Sequence, residues 1–279
     1  MAVELLKVVV MVVDNQVVAE RLLEVLHQVE IPLVVRTTSL YHFNRTRHID
    51  ETIQAGFRPR LLFTYAMTTQ CPLCSNRSTS VFYADAYREY LHCPTCELSF
   101  AHPESHLSRE AEFSRYEFHE NNLEDPGYRS FLQKMSSPML ARIGEQSQGL
   151  DFGSGPGPLL KLLFEEQGHT MSLYDSFYAP DQSVFESCYD FITATEVVEH
   201  LHKPLDELDK LWSCIKPKGY LGLMTSMRLP ALDFSSWHYI RDETHVIFFA
   251  PATMKWLSKH WNAHLEILSD SVVIFRKTA

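Results

Sequence analysis

The sequence predicts an α/β fold, a mostly parallel sheet with helical crossovers, preceded by a small cysteine-bound module. Three observations carry this. Residues 149–157 read Gly-Leu-Asp-Phe-Gly-Ser-Gly-Pro-Gly, an apolar run entering a turn with glycines on alternate positions. From there to residue 276, apolar runs alternate with amphipathic stretches, the pattern of strands linked by helices. Upstream, Cys71-Pro72-Leu73-Cys74 and Cys93-Pro94-Thr95-Cys96 form two C-x-x-C pairs eighteen residues apart.

In chain order, residues 1–66 form an extension of uncertain role. Within it, 7–13 and 31–35 read as strands, 17–29 as an amphipathic helix and 36–60 as a basic, irregular stretch. Met67 stands just ahead of the first cysteine pair, and the functional protein is expected to begin near it. Residues 67–105 hold Cys71, Cys74, Cys93 and Cys96. Four thiolates at this spacing suit a tetrahedral zinc site, a zinc ribbon that is structural rather than catalytic. The alternatives are a disulfide pair, disfavoured in a reducing compartment, and a knuckle without metal. Between the pairs, residues 80–92 carry Val81, Phe82, Tyr83, Tyr87 and Tyr90 and should form a hairpin. Cys188 and Cys214 fall in apolar patterns and are expected to be packed thiols.

Residues 106–145 read as a helical cap or linker, with Phe113, Tyr116 and Phe118 in its first part. Its second part spaces Phe131, Leu132, Met135 and Leu140 helically despite Pro138. Residues 146–279 form the main domain. Strands are expected near 148–152, 171–174, 190–194, 219–225, 264–268 and 271–276, and helices near 158–167, 204–215 and 251–261. Pro158, Pro204 and Pro251 each suit a first helical turn, where a missing N–H costs nothing. The paired last strands suit an antiparallel end to the sheet.

Alternate glycines let the backbone approach a ligand closely and adopt torsions that side chains forbid. The helix start that follows offers free N–H groups and a positive dipole end. Asp175, after the next apolar run, sits where a ribose diol is gripped in nucleotide-binding βαβ units. These features point to a nucleoside cofactor. The spacing Asp151-x-Gly153-x-Gly155-x-Gly157 resembles motif I of the class I S-adenosylmethionine (SAM)-dependent methyltransferases. Residues 189–201 resemble the fourth strand and following loop of that family, and Lys216-Pro217-Lys218-Gly219 the turn into its fifth strand.

The resemblance implies a Rossmann-like sheet and SAM as cofactor. It assigns cofactor contacts to Asp151, Gly153, Ser154, Gly155, Gly157, Asp175, Ser176, Phe177, Thr195 and Glu196. Helices ahead of the domain commonly lie over the SAM pocket in this family, which makes Tyr116 and Tyr128 candidates for covering the methionine end. One departure matters. Only fourteen residues separate Asp175 from Asp190, too few for a helix, a third strand and the acidic loop that reads adenine. The sheet should therefore be shortened after its second strand, with Phe177, Tyr178 or backbone groups facing adenine.

Open α/β sheets place their sites at the carboxyl ends of strands. Glu196, Glu199, His200 and His202 follow one such end, and Trp237-His238-Tyr239-Ile240-Arg241-Asp242-Glu243-Thr244-His245 follows the next. The second run resembles a W-H-Y…D-x-T-H signature of a zinc-ribbon methyltransferase branch, over residues 70–277. His200, His245, His238 and Tyr239 are the catalytic candidates, and a loop histidine titrating near neutral pH suits a general base. Glu196-x-x-Glu199-His200 with a later histidine also resembles the metal site of small-RNA 2′-O-methyltransferases, although the wider family commonly carries this pattern without metal.

The expected activity is SAM-dependent methyl transfer to a small-molecule acceptor with an O, N or C nucleophile. Four-cysteine ribbons also resemble those of sugar C-methyltransferases and, through C-P-L-C, of rRNA guanine methyltransferases. An RNA methyltransferase, or a non-catalytic SAM- or zinc-mediated interaction protein, is the alternative. A net charge of −10 without a Lys or Arg run disfavours nucleic acid. No apolar stretch reaches membrane-spanning length and the first residues lack a basic signal-peptide region, so a cytoplasmic protein without membrane contact is expected.

Overall fold

Two short turns organise the cysteine module. The computed structural model describes residues 69–116 and 124–278; the expectations for residues 1–66 and Met67 lie outside these. In each turn the residue after the second cysteine, Ser75 or Glu97, takes a φ of 60°, and its N–H donates to the carbonyl of the first cysteine. The chain between forms the expected hairpin of β1 (Ser80–Ala84) and β2 (Glu89–His92), and β3 (Ser99–Ala101) adds to β2.

The main sheet holds β4 (Gln148–Phe152), β5 (Thr170–Tyr174), β6 (Tyr189–Thr195) and β7 (Ile215–Met224). After the two-residue β8 (Ile247–Phe248) come β9 (His264–Ile267) and β10 (Val272–Arg276). The order is β5-β4-β6-β7-β10-β9; β4 to β7 are mutually parallel, and β10 runs against both its neighbours. This is the class I arrangement with its edge trimmed. β5 is the edge, and the 3₁₀ turn Gln182–Glu186 stands in place of a further strand. Phe185 of that turn packs edge-on against Tyr174, with ring centroids 4.7 Å apart.

Among the described residues, five helices flank the sheets: α1 (Arg109–Tyr116), α2 (Pro126–Leu140), α3 (Leu159–Glu165), α4 (Pro204–Ser213) and α5 (Pro251–His260). Side chains alternate across the sheet with period two. Val272 and Ile274 face α2 and α3 with Leu132, Met135, Leu160 and Phe164, while Val273 and Phe275 face the other core. Pro138 sits inside α2, where the expected helix continues through it. Residues 216–219, expected as a turn, are an irregularity within β7. Tyr189 pairs with Ile215 but Phe191 with Tyr220, so the extra residues leave the ladder, helped by Lys218 at φ 66°. Cys214 is buried as expected, but Cys188 is exposed. It lies in the link between the 3₁₀ turn and β6, beyond the reach of the alternation that buries its neighbours.

The ribbon is not a separate bead. β8 pairs with β3, giving a second sheet of order β1-β2-β3-β8. Leu73, Leu98 and Phe100 share one buried cluster with Leu150, Leu221 and Phe248. All described residues belong to one unit, Thr68–Ala279. No helix among them is long and apolar enough to cross a membrane.

Gly222 tests the packing of α2 on the sheet. A Cβ there would lie 2.6 Å from Met135 Sδ and 2.7 Å from Met139 Cε. Gly222→Val should therefore destabilise the fold by about 1–3 kcal/mol, read as a lower denaturant midpoint; an unchanged midpoint would show that α2 is free to shift.

Candidate active site

The glycine loop takes its shape from contacts with β5. Gly153 has φ 78°, and a Cβ there would fall 2.1 Å from Val197 Cγ2, so only glycine fits. The N–H groups of Gly153 and Ser154 donate to Tyr174 O at 2.7 and 3.1 Å, and that of Gly155 (φ 60°) to Asp175 Oδ2 at 3.0 Å. Asp175 Oδ1 accepts from Phe177 N and Tyr178 N at 2.8 and 3.0 Å. One carboxylate thus ties the loop to the turn after β5 and keeps lone pairs on Oδ2 for a further donor.

A cavity of about 780 Å³ opens above this loop. Gly153, Ser154, Gly155, Asp175, Ser176, Phe177, Thr195 and Glu196, all among the expected cofactor contacts, line it. Tyr116, Tyr128 and Tyr178 line it too. Asp151 and Gly157 do not. Asp151 is buried behind the wall, accepts from Thr193 Oγ1 at 3.1 Å, and is pushed up to about 7 by burial. Gly157 lies past the loop, where its carbonyl accepts from Leu159 N. The wall offers polar groups fitted to a ligand: Ser154 Oγ and Thr195 Oγ1 are buried without a partner among the described residues.

The opposite wall is built by the two expected loops. His200, His238, Tyr239, Asp242 and His245 all line the cavity, His238 exposed at the rim. The rings of His200 and His245 stand 4.7 Å apart. His200 Nδ1 lies 3.1 Å from Thr244 O, and His245 Nδ1 lies 2.7 Å from Tyr239 O. A carbonyl can only accept, so in each ring Nδ1 carries the proton and Nε2 is the basic nitrogen. Asp242 Oδ2 lies 3.8 Å from His245 Nε2.

Beneath them, the Tyr239 hydroxyl donates to Glu199 Oε1 and lies 3.4 Å from Glu196 Oε2. Burial raises Glu196 to about 7; burial and the Glu196 charge raise Glu199 to about 8. Burial, with these two carboxylates, drives the Tyr239 phenol well above its ordinary range. Tyr239 is therefore a holder of carboxylates rather than a base at neutral pH. Glu199, His200 and His245 each offer a ligand atom within 4.8 Å of the others; Glu196 is not in that grouping. The second such grouping among the described residues is the four cysteines. Their sulfurs approach to 3.5 Å (Cys71–Cys96) and 3.4 Å (Cys74–Cys93), and none is disulfide-bonded. Edges of this length suit a tetrahedron of thiolates about a Zn–S distance of about 2.3 Å.

The residues that sequence reasoning missed lie on α1 and the ribbon. Helix α1 spans both walls. Arg109 donates to Ser176 O at 2.8 Å and lies over the Phe177 ring, while Phe113 and Tyr116 pack on the same ring at 5.3 and 5.6 Å. On the far side Arg115 pairs with Glu243 at 2.7 Å and Glu112 with His202 Nε2 at 2.9 Å. Tyr116 is a candidate cover from the sequence, but nothing there singles out Arg109, Glu112 or Arg115.

The Glu112 hydrogen bond raises the pKa of His202 above 6.5 despite partial burial. This pairing stabilises α1 on the loop fully below the histidine's ordinary pKa and is lost as pH rises through the raised value. An NMR titration should place the His202 midpoint above 6.5, and Glu112→Gln should lower it; equal midpoints would show that the pair does not form.

Among known proteins, the methyltransferase domain model of one family matches residues 124–268. The ubiquinone biosynthesis O-methyltransferase of Vibrio cholerae serotype O1 is 29% identical over 89 residues, 32% of this chain and 36% of that protein. Its Shewanella pealeana counterpart is 28% identical over 92 residues, 33% of this chain and 39% of that protein. The chain thus spans little more than a third of these relatives' length. Among solved structures, a Burkholderia thailandensis 1,6-didemethyltoxoflavin-N1-methyltransferase bound to 1,6-didemethyltoxoflavin and S-adenosylhomocysteine has a TM-score of 0.45 at 16% identity, covering 71% of this chain and 99% of its own. A SAM-dependent methyltransferase from Archaeoglobus fulgidus has a TM-score of 0.41 at 16% identity, over 55% of this chain and all of its own. The family match covers more than half of the chain, and with the strand order and glycine loop described above, the chain belongs to the class I SAM-dependent methyltransferase family.

Proposed function

We propose that the protein transfers the methyl group of SAM to a small-molecule acceptor, with a loop histidine as base and a structural zinc in the ribbon. The observation that carries this is the cavity of about 780 Å³ with the glycine loop on one side and two imidazoles on the other. Its volume lies in the range of small-molecule sites, about 300–1,000 Å³. Gly153, Ser154, Gly155 and Thr195 would hold the cofactor's methionine end, Asp175 its ribose, and Phe177, with Arg109 and Tyr116 behind it, its base. When bound, SAM supplies a methyl group activated by a sulfonium.

The protein's own part is alignment and proton removal. His245 is only 9% exposed, and its Nδ1–H is spent on Tyr239 O, so Nε2 faces the work of accepting the acceptor's proton. The Asp242 carboxylate, 3.8 Å from Nε2, favours the imidazolium that results. His200 stands beside it as the second imidazole of the wall. Tyr116 and Tyr128 cover the cavity and limit water. Asp151, Glu196, Glu199 and Tyr239 support the walls from behind. The four cysteines would hold zinc as thiolates, away from the cavity.

Two experiments test this. Calorimetry should show SAM binding, abolished in Gly155→Leu with zinc content unchanged; joint loss of both would mean misfolding, and a wild type that binds no SAM would favour a non-catalytic protein. A labelled-methyl screen of cell extract, split into RNA, protein and small molecules, should find label in the small-molecule fraction. Against the acceptor so identified, His245→Ala should lower turnover by about 10²–10⁴-fold while SAM affinity stays; label in RNA would replace the small-molecule reading.

A further inference from the structure

Arg88 stands at the tip of the ribbon hairpin, 8% exposed, far in sequence from the catalytic loops. Its guanidinium is surrounded by backbone carbonyls from one segment. Nη1 donates to Glu243 O at 3.2 Å and His245 O at 3.0 Å; Nη2 donates to Asp242 O at 3.1 Å and to Ile240 O. The Tyr90 hydroxyl adds a contact to Ile240 O at 3.4 Å, and the Arg88 guanidinium lies 5.2 Å from the Tyr90 ring centre. Asp85 Oδ1 accepts from the Arg88 N–H at 2.7 Å, which fixes the hairpin tip from which the side chain leaves.

Four carbonyl dipoles converging on one point repel one another, and a buried carbonyl left without a donor is destabilising. A lysine is a point charge; the planar five-donor fork of arginine answers several carbonyls at once. The same backbone turns its side chains the other way, so that Tyr239, Asp242 and His245 line the cavity. The His245 ring is in turn aimed by the carbonyl of Tyr239, next to the Ile240 carbonyl that Arg88 holds.

We propose that Arg88 is a positioning residue for the reaction: by gathering the carbonyls of residues 240–245 it fixes the tautomer and aim of His245 from the ribbon. The function assigned to His245 comes from the preceding reading; the geometry does not. The test uses the full-length, zinc-loaded protein. In the wild type, long-range ¹H–¹⁵N imidazole spectra should show His245 protonated at Nδ1. In Arg88→Ala the tautomer should become mixed, and amides 237–246 should exchange at least about tenfold faster, while residues 148–158 keep their protection and SAM affinity stays within about twofold of wild type. Guanidinium chloride at low millimolar concentration should restore the Nδ1–H signal. Wild-type tautomer and protection in Arg88→Ala would overturn the proposal. Should that variant not fold, Arg88→Lys decides: loosened exchange at 237–246 supports the proposal, and unchanged exchange overturns it. These readouts need no acceptor, so a failure of the methyl-transfer reading and a failure of the clamp are told apart.

Discussion

The pairing of β3 with β8 is the contact on which the rest of the molecule depends. A four-cysteine module of this size cannot bury enough surface to fold unaided and needs metal, a partner or both. Here it has a partner within its own chain. Ser99 and Phe100 pair with Phe248 and Ile247, and Ala101 N donates to Val246 O at 2.8 Å. Phe248 then joins Tyr90, Phe234 and Trp237 in one aromatic cluster beneath the hairpin. Because β8 follows directly on the 237–245 loop, whatever places the ribbon also places the histidine-bearing wall of the cavity. Val246 N closes the arrangement from below by donating to Glu199 O at 2.9 Å.

The trimmed edge of the sheet shifts the burden of the cofactor side onto α1. Where a further strand and its acidic loop would stand, the chain makes the Asp175 turn and the short 182–186 turn. Their surface is covered by the Arg109–Phe177–Tyr116 stack. On the proposed reading, a planar base would be held here by stacking and backbone groups rather than by a carboxylate. The same helix reaches His202 and Glu243 on the other wall. A single eight-residue element thus bridges the two walls of the cavity.

Much of the sheet was legible because its causes are local. Prolines at 204 and 251 mark the starts of α4 and α5, and short apolar runs mark β4, β5 and β6 within a residue or two. Thiolate chemistry demands its spacing, so the cysteine grouping could be read directly. Gly153 and Gly155 could be read because their positive φ disfavours other residues. What escaped was long-range. Arg88 meets carbonyls more than 150 positions away, and nothing in its neighbourhood distinguishes it from a solvated hairpin arginine. Residues 246–249 were legible as apolar, but not as the fourth strand of the ribbon sheet. The exposure of Cys188 escaped for the converse reason, since local pattern says nothing of where a linking turn meets solvent.

Beneath the two histidines lies a pair of buried carboxylates that sets the charge of the cavity floor. Glu199 is fully buried, and its Oε2 has no partner among the described residues. Two interacting carboxylates raised to about 7 and 8 hold a proton between them near neutrality, and the Tyr239 hydroxyl spans them. The floor of the site is thus kept from carrying two full negative charges near neutral pH. The backbone supplies the remaining selection. Thr244 O and Tyr239 O each take an Nδ1–H, which leaves Nε2 as the basic nitrogen of both rings. Those carbonyls belong to the loop whose other carbonyls converge on Arg88. The tautomer is therefore a property of the backbone's path, and that path is set by how the ribbon packs on the sheet.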